Sequence, residues 1–309
     1  MSGKILITGG LGNLGSWITK EFCDQGYEVY VLTRKETYKI KNINYNVIEA
    51  DITDINNLRN KLTIDFDYCI HTASFNEYFI ENYYSKALDI NVLGTRNLLE
   101  VLAKKNIKKF IYFSTFHVYG AKEGVVDELT ELNPKNDYAL THLFAEYDVK
   151  KNCESLSLSY SIFRLTNSYG CPKNKNSDKW YLVLNDLVKS AYVNKKMTLL
   201  TNGKTSRDFI WMGDVAKITS KALEVNMLGI YNLSSMQNYT IVKLAQMIQK
   251  EYYNRYHQKI KIEVNNHDRS IYSEITISNN KLKSIIDFQL DDMISIEINK
   301  IFKLLETEN

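Results

Sequence analysis

A short apolar run, Lys4-Ile5-Leu6-Ile7-Thr8, leads directly into Gly9-Gly10-Leu11-Gly12-Asn13-Leu14-Gly15. Behind the glycines, Leu14, Ile18 and Phe22 recur at helical spacing as far as Gly26, so the pattern is strand, tight turn, helix. Glycine at 9, 12 and 15 permits the sharp turn and lets backbone approach a ligand closely. The first turn of the helix adds unpaired N–H groups and the positive end of a dipole. That combination suits a pyrophosphate. Glycine triplets also occur in plain turns, and it is the flanking strand and helix that make Gly9, Gly12, Asn13, Leu14 and Gly15 candidate dinucleotide contacts.

The alternation continues along the chain. Residues 29–32, 47–50, Tyr68–His71, 110–114 and 160–165 read as apolar strands. A helix is expected around Leu58, a long one over 87–105 and another over 138–150. Strands alternating with helices predict an α/β fold, a Rossmann-type doubly wound parallel sheet covered on both faces. Beyond about residue 166 the alternation loosens. The expectation is a dinucleotide-binding domain over 1–165 and a smaller C-terminal α/β lobe over 166–309, mainly for substrate, with segments returning to the first domain.

A chain of 309 residues with 44% hydrophobic content can bury a sizeable core. The formal net charge is only +3 and no basic block stands out, so no nucleic-acid partner is expected. The opening residues lack the basic, apolar and small-residue plan of a signal peptide, and the apolar runs are too short for a membrane span. No membrane association and a cytoplasmic location are the expectations. Cys23, Cys69, Cys153 and Cys171 are scattered without a C-x-x-C pair, which favours buried thiols over disulfides or a metal site.

The second strand should end at the adenosine ribose. An acidic residue there favours NAD, whereas a nearby arginine accommodates the 2′-phosphate of NADP. Here the strand ends Leu32-Thr33-Arg34-Lys35, without a carboxylate. Thr33 and Arg34 therefore favour NADP(H), with NAD(H) left open; a solvated pair of surface charges is the plain alternative.

With these pieces in order, the chain resembles the extended short-chain dehydrogenase/reductase family, the nucleotide-sugar epimerases, dehydratases and reductases. The resemblance rests on the glycines and on Asp51-Ile52, His71-Thr72-Ala73-Ser74 and Asn91-Val-Leu-Gly94-Thr95. It continues through Ser114-Thr115-Phe116-His117-Val118-Tyr119-Gly120, Tyr138 with Glu146, Arg164-Leu-Thr-Asn167-Ser-Tyr-Gly170 and Arg207-Asp208-Phe209-Ile210. It implies that Asp51 and Ile52 lie against adenine and that Thr72, Ala73 and Asn91 line the cofactor. It further implies that Thr115 and Tyr138 hold the reacting sugar oxygen, and that Asn167, Arg207 and, less directly, Arg269 lie near a sugar diphosphate. A homodimer is implied as well. Taken singly, Thr115 could be a strand-end hydroxyl, Asn91 an amide bonded to neighbouring backbone, His71 a structural ring and Tyr138 one of 22 tyrosines.

The family's proton-transfer pair is Tyr-x-x-x-Lys, in which the lysine binds the nicotinamide ribose and favours the phenolate. This chain reads Tyr138-Ala139-Leu140-Thr141-His142. An imidazole with an ordinary pKa of about 6.5 is a less dependable cation near neutrality. His142 could substitute in part, a lysine or water elsewhere could fill the gap, or the protein could bind cofactor and sugar without turnover. The family's 4,6-dehydratases carry Asp-Glu after the catalytic threonine; here the residues are Phe116 and His117. Phe116 transfers no proton, so 4,6-dehydration is disfavoured, and His117 either shapes the sugar pocket or acts as a base. The expected reaction is NAD(P)-dependent reduction of a 4-keto nucleotide sugar. A 4-epimerase or 4-dehydrogenase holding NAD tightly is the alternative, and a catalytically silent nucleotide-sugar or NADP(H) binding protein is the alternative outside enzymes.

Overall fold

This computed structural model describes residues 3–76, 83–121, 123–174 and 179–307. The strands are β1 (Lys4–Thr8), β2 (Glu28–Thr33), β3 (Asn46–Glu49), β4 (Tyr68–His71), β5 (Lys109–Thr115), β6 (Gly124–Val126), β7 (Ser159–Leu165), β8 (Asn167–Tyr169), β9 (Lys196–Leu199), β10 (Ser206–Trp211), β11 (Gly229–Leu233), β12 (Asn238–Thr240), β13 (Lys261–Val264) and β14 (Ile275–Ile277). The helices are α1 (Asn13–Asp24), α2 (Ile55–Lys61), α3 (Tyr83–Ala87), α4 (Thr95–Leu102), α5 (Asp137–Ser155), α6 (Val183–Asn194), α7 (Met212–Glu224), α8 (Ile241–Tyr256), α9 (Asn280–Lys283) and α10 (Ile294–Glu306).

Seven strands form one parallel sheet in the order β11-β7-β5-β4-β1-β2-β3. The order reverses between β1 and β4, and the crevice beyond the carboxyl ends of such a pair is where a parallel sheet can admit a ligand. Side-chain alternation explains why both faces are covered. Ile5 and Ile7 of β1 point to a core shared with Ile18 and Phe22 of α1 and Val215 and Ile218 of α7. Leu6 points the other way, to Leu58 of α2, Leu98 of α4 and Val149 of α5. Each fully buried aliphatic contributes about 1.5–3 kcal/mol relative to exposure. This is the doubly wound parallel architecture expected from the alternation.

The later chain divides its loyalties. Tyr231 and Leu233 of β11 and Leu282 of α9 join the core around β1. A separate core gathers Leu187 of α6, Met197 of β9, Phe209 of β10, Leu244 of α8 and Phe302 of α10. Among the described residues, no helix is long and apolar enough to cross a membrane.

One element departs from the expected course. The helix anticipated over 87–105 is α3, then a π-helical segment Leu88–Gly94, then α4. The wider turn presses Gly94 against the loop after β3, where a Cβ on Gly94 would lie 2.8 Å from Ile52 Cδ1. Such a one-residue expansion leaves no mark on apolar periodicity.

Candidate active site

The turn after β1 is closed by the Gly12 N–H donating to the Gly9 carbonyl at 2.8 Å. Gly9 has φ +68°, and a Cβ there would come within 2.8 Å of the Ala73 nitrogen. A Cβ on Gly15 would lie 2.1 Å from the Gly9 oxygen. Both positions therefore require glycine. Helix α1 begins at Asn13 with no side-chain cap and no acidic residue in its first turn, so its N–H groups and dipole face outward for an anion. Leu14 packs against the core around β1 rather than towards solvent. Tyr38, from the segment after β2, reaches back and donates to the Leu11 carbonyl at 2.9 Å.

At the sheet's reversal point, Thr8 and His71 are register partners. The Thr8 hydroxyl lies 2.5 Å from His71 Nδ1, and His71 Nε2 lies 2.8 Å from the Thr95 hydroxyl. Thr95 in turn donates to the Asn91 carbonyl at 2.6 Å. The direction of this chain makes Nδ1 the acceptor and Nε2 the donor, a neutral ring. Full burial agrees, lowering the His71 pKa to about 3. His71 is thus a rivet joining two strand ends to the helix beneath them.

The loop after β4 hangs from these groups. Thr72 donates its hydroxyl to the Thr8 carbonyl at 2.7 Å, and the Ala73 N–H reaches the Thr8 hydroxyl at 3.3 Å. Asn91 accepts from the Phe75 N–H at 2.6 Å and donates to the Phe75 carbonyl and the Thr141 hydroxyl. Its amide is committed to protein partners, so Asn91 shapes this loop rather than reaching outward. Asp51 Oδ1 accepts from the Thr53 N–H and hydroxyl, and Ile52 is buried beneath it. At the end of β2, the Thr33 hydroxyl donates to the Lys35 carbonyl and Arg34 is exposed. A carboxylate does stand close by: Glu49, the register partner of Thr33, accepts from the Glu36 N–H.

Thr115 ends β5 and caps the following turn, its oxygen accepting from the His117 N–H at 3.2 Å. Its hydroxyl also acts on the phenol of Tyr138, the second residue of α5, and favours the ionised form. Desolvation raises the Tyr138 phenol to about 12, against the pull of the Thr115 hydroxyl, so at neutral pH it is a proton donor. One helical turn on, the His142 ring meets Tyr138 in a T-shaped contact at 4.6 Å between centroids. His142 Nδ1 lies 2.7 Å from the Tyr112 hydroxyl. Burial, with smaller contributions from His71 and His117, lowers the His142 pKa to about 3. The reading of His142 as a partial cation in place of lysine therefore gives way to a neutral imidazole, because the ring is almost wholly withdrawn from solvent.

The substrate-side residues are less tightly gathered. His117 stacks on Phe116 at 4.2 Å and meets Tyr138 edge-on at 6.2 Å. His117 is exposed on its turn, and desolvation together with the Arg207 guanidinium lowers it to about 4. Arg207 is exposed on β10. The next residue, Asp208, anchors that strand by accepting from Thr166, Ser235 N–H and the Ser235 hydroxyl. Asn167 donates to the Asp208 carbonyl at 2.9 Å. Arg269 is exposed on a loop tied down by Asp268, which accepts from the Asn202 N–H at 2.9 Å.

Residues 5–234 match the NAD dependent epimerase/dehydratase family. The chain belongs to that family. A putative UDP-glucose 4-epimerase of Methanocaldococcus jannaschii is 30% identical over 255 residues, covering 80% of this chain and 82% of the relative. In fold, the chain resembles the UDP-N-acetylglucosamine 4-epimerase from Methanobrevibacter ruminantium M1 in complex with UDP-N-acetylmuramic acid, with TM-score 0.84, 24% identity and 98% of each chain covered. It also resembles the UDP-glucuronic acid 4-epimerase from Bacillus cereus in complex with UDP-glucuronic acid and NAD, with TM-score 0.81, 21% identity, and 98% of this chain and 99% of that one covered.

The residues of this family member fit a dinucleotide. Among the described residues, Asn13 Nδ2 and Oδ1 and His142 Nε2 are buried without a hydrogen-bond partner. Orphaned polar atoms of this kind are costly unless a ligand or water satisfies them; phosphate oxygens can accept from an amide N–H, and ribose hydroxyls can both donate and accept. Sequence reasoning missed Tyr112 and Tyr38 because nothing in their local pattern distinguishes them from core and loop tyrosines. It also passed over the Ser114 hydroxyl, which donates to Glu146 at 2.5 Å, although both residues stand in the quoted motifs.

Proposed function

We propose that this enzyme reduces the 4-keto group of a nucleoside-diphosphate sugar. The observation that carries the reading is geometric: the buried His142 ring meets Tyr138 edge-on where the family places an ammonium, and the surroundings raise the Tyr138 phenol rather than lower it. Reduction of a ketone needs a proton delivered to the nascent alkoxide, and a phenol raised to about 12 is built to donate one. Oxidation of a carbinol needs the phenolate, which this surrounding disfavours.

The bound dinucleotide supplies the hydride. Gly9, Gly12, Asn13 and Gly15 would hold its pyrophosphate through backbone amides and the α1 dipole, with Asp51 and Ile52 against adenine. Thr72 and Ala73 belong to the wall beside it, and Asn91 fixes that wall. Thr33 and Arg34 would take a 2′-phosphate, which favours NADPH. Thr115 and Tyr138 would both bond the 4-oxygen, Thr115 orienting it and Tyr138 protonating it. Residues 166–309 would serve mainly as the sugar-nucleotide lobe, with Asn167, Arg207 and Arg269 towards the diphosphate and His117 shaping the pocket. Phe144 and Tyr147, 40% and 61% exposed on α5, would suit a homodimer contact.

A second reading, 4-epimerisation with tightly held NAD, is favoured by the Methanocaldococcus relative. One experiment separates them: purified protein is given NADPH or NADH with a panel of 4-keto nucleotide sugars, and separately UDP-sugars with no added reductant. Reductant loss with the ketones supports reduction, and interconversion of 4-epimers without added reductant supports epimerisation. Saturable binding with no turnover in either arm, unchanged by His142→Lys, would instead indicate a silent binding protein.

A further inference from the structure

We propose that Tyr112 holds His142 as its Nε2–H tautomer, so that a neutral imidazole N–H donates a hydrogen bond to a ribose hydroxyl of the bound dinucleotide. The inference deepens the proposed function and rests on it for the identity of the ligand.

The argument is one of hydrogen-bond direction in a buried place. Tyr112 is 1% exposed, and the interaction at its hydroxyl is the 2.7 Å contact with His142 Nδ1. A buried phenol O–H needs an acceptor, and a bare imidazole nitrogen is one. If Nδ1 instead carried the proton and donated to Tyr112, the phenolic hydrogen would lose that acceptor and Nε2 would be a bare lone pair. With Tyr112 donating, the ring proton moves to Nε2. Among the described residues that atom is buried and without a protein partner, on the ring that packs edge-on against Tyr138.

A donor beside the proton-transferring phenol suits a polyol oxygen rather than an anion, since it carries no charge. The groups that face His142 agree. They are Tyr112 from β5, His71 behind Tyr112 with ring centroids 5.6 Å apart, Tyr138 on the same helix, and His117 from the turn after β5. Among the described residues the nearest carboxylate along α5 is Glu146, one turn on, and its charge is already held by Arg164 and Ser114. Tyr112 is thus a positioning residue: it sets which nitrogen of His142 carries hydrogen, and it acts on the ligand through that nitrogen.

The test reads the tautomer directly. In long-range 1H–15N spectra of 15N-histidine-labelled protein, with the signals assigned by their loss in His142→Gln, the proton is expected on Nε2 and not on Nδ1, and the Nε2 resonance should shift when NAD+ or NADP+ is added. In Tyr112→Phe the constraint on Nδ1 is gone. The ring should populate both tautomers, dinucleotide affinity should weaken between about twofold and tenfold, as for loss of one neutral hydrogen bond, and KM for the dinucleotide should rise more than kcat falls. A wild-type proton on Nδ1, or a Tyr112→Phe protein with unaltered tautomer and affinity, overturns the proposal. If Tyr112→Phe does not fold, the wild-type spectrum and its response to dinucleotide decide alone. The predicted tautomer together with no affinity for any pyridine dinucleotide would overturn the proposed function and the ligand assigned to Nε2–H, while the wild-type spectrum would still stand for the role of Tyr112.

Discussion

The Arg164 guanidinium lies 2.7 Å from the Glu146 carboxylate, with the two side chains only 2% and 3% exposed. Arg164 Nε reaches both carboxylate oxygens, at 3.1 and 3.2 Å, and its guanidinium also stacks on Tyr119 at 4.8 Å. Glu146 accepts a further bond from Ser114, the residue before Thr115. The pair therefore ties α5, which carries Tyr138 and His142, to β7, and the Ser114 bond adds the end of β5, which carries Thr115. Removing one partner leaves the other charge buried and alone. Glu146→Ala or Arg164→Ala should lower unfolding free energy by about 3–5 kcal/mol, whereas breaking an exposed pair such as Lys20–Asp24 should cost less than about 1 kcal/mol. Urea unfolding of the variants measures both, and similar losses at the two sites would deny the Glu146–Arg164 pair its structural weight.

That pair also marks the limit of what the chain reveals unaided. The glycine turn, the parallel sheet and the order of motifs are legible because each is a local pattern: apolar alternation, glycine spacing, a tyrosine opening a helix. Boundaries were close, as with residues 29–32 found within Glu28–Thr33 and 138–150 within Asp137–Ser155. The bonds that decide the chemistry are non-local. Tyr112 and His142 are 30 residues apart, and Thr8 and His71 are 63 apart. No spacing rule links such residues until β1 and β4 pair and α5 packs across β5. The neutral state of His142 was equally hidden, because it depends on burial rather than on residue type.

Tyr138→Phe removes the donated proton and keeps the ring. Turnover should fall at least about a hundredfold while dinucleotide affinity stays within about twofold. The pH response follows from the same surroundings. With Tyr138 near 12, His117 near 4 and His142 near 3, none of the three titrates near neutrality. The rate of ketone reduction should be flat between about pH 6 and 9, whereas the reverse oxidation should rise about tenfold per pH unit as the phenolate fraction grows. Steady-state rates in both directions check this. A reduction rate that climbs as pH falls through 7 would return His142 to the role of a cation.

His71 and His142 should make the fold sensitive to mild acid. Both have folded pKa values near 3, below the 6.5 of an unfolded histidine. Above pH 6.5 both states are neutral and nothing is gained or lost. As pH falls below 6.5 the unfolded chain takes up the protons first, so each ring reduces stability, by up to about 1.4 kcal/mol per pH unit, until the folded pKa is reached. Urea midpoints should drop between about pH 6.5 and 5, and the slope should become shallower in His71→Asn. An unaltered slope in that variant would place the proton uptake elsewhere.

Arg34 tests which dinucleotide the cleft prefers. It is exposed at the end of β2, where a 2′-phosphate would meet its guanidinium in a charge-assisted, two-pronged contact. Glu49, one strand over and bonded to the Glu36 N–H, pulls the other way, since a carboxylate near the ribose repels that phosphate and suits the free hydroxyl of NAD. If the arginine prevails, Arg34→Ala should weaken NADPH by about tenfold and NADH by less than about twofold, and Glu49→Gln should tighten NADPH. Equilibrium titrations of both reduced dinucleotides give the four constants needed. Equal losses for NADPH and NADH in Arg34→Ala would remove the arginine from cofactor choice and leave Glu49 to set a preference for NAD.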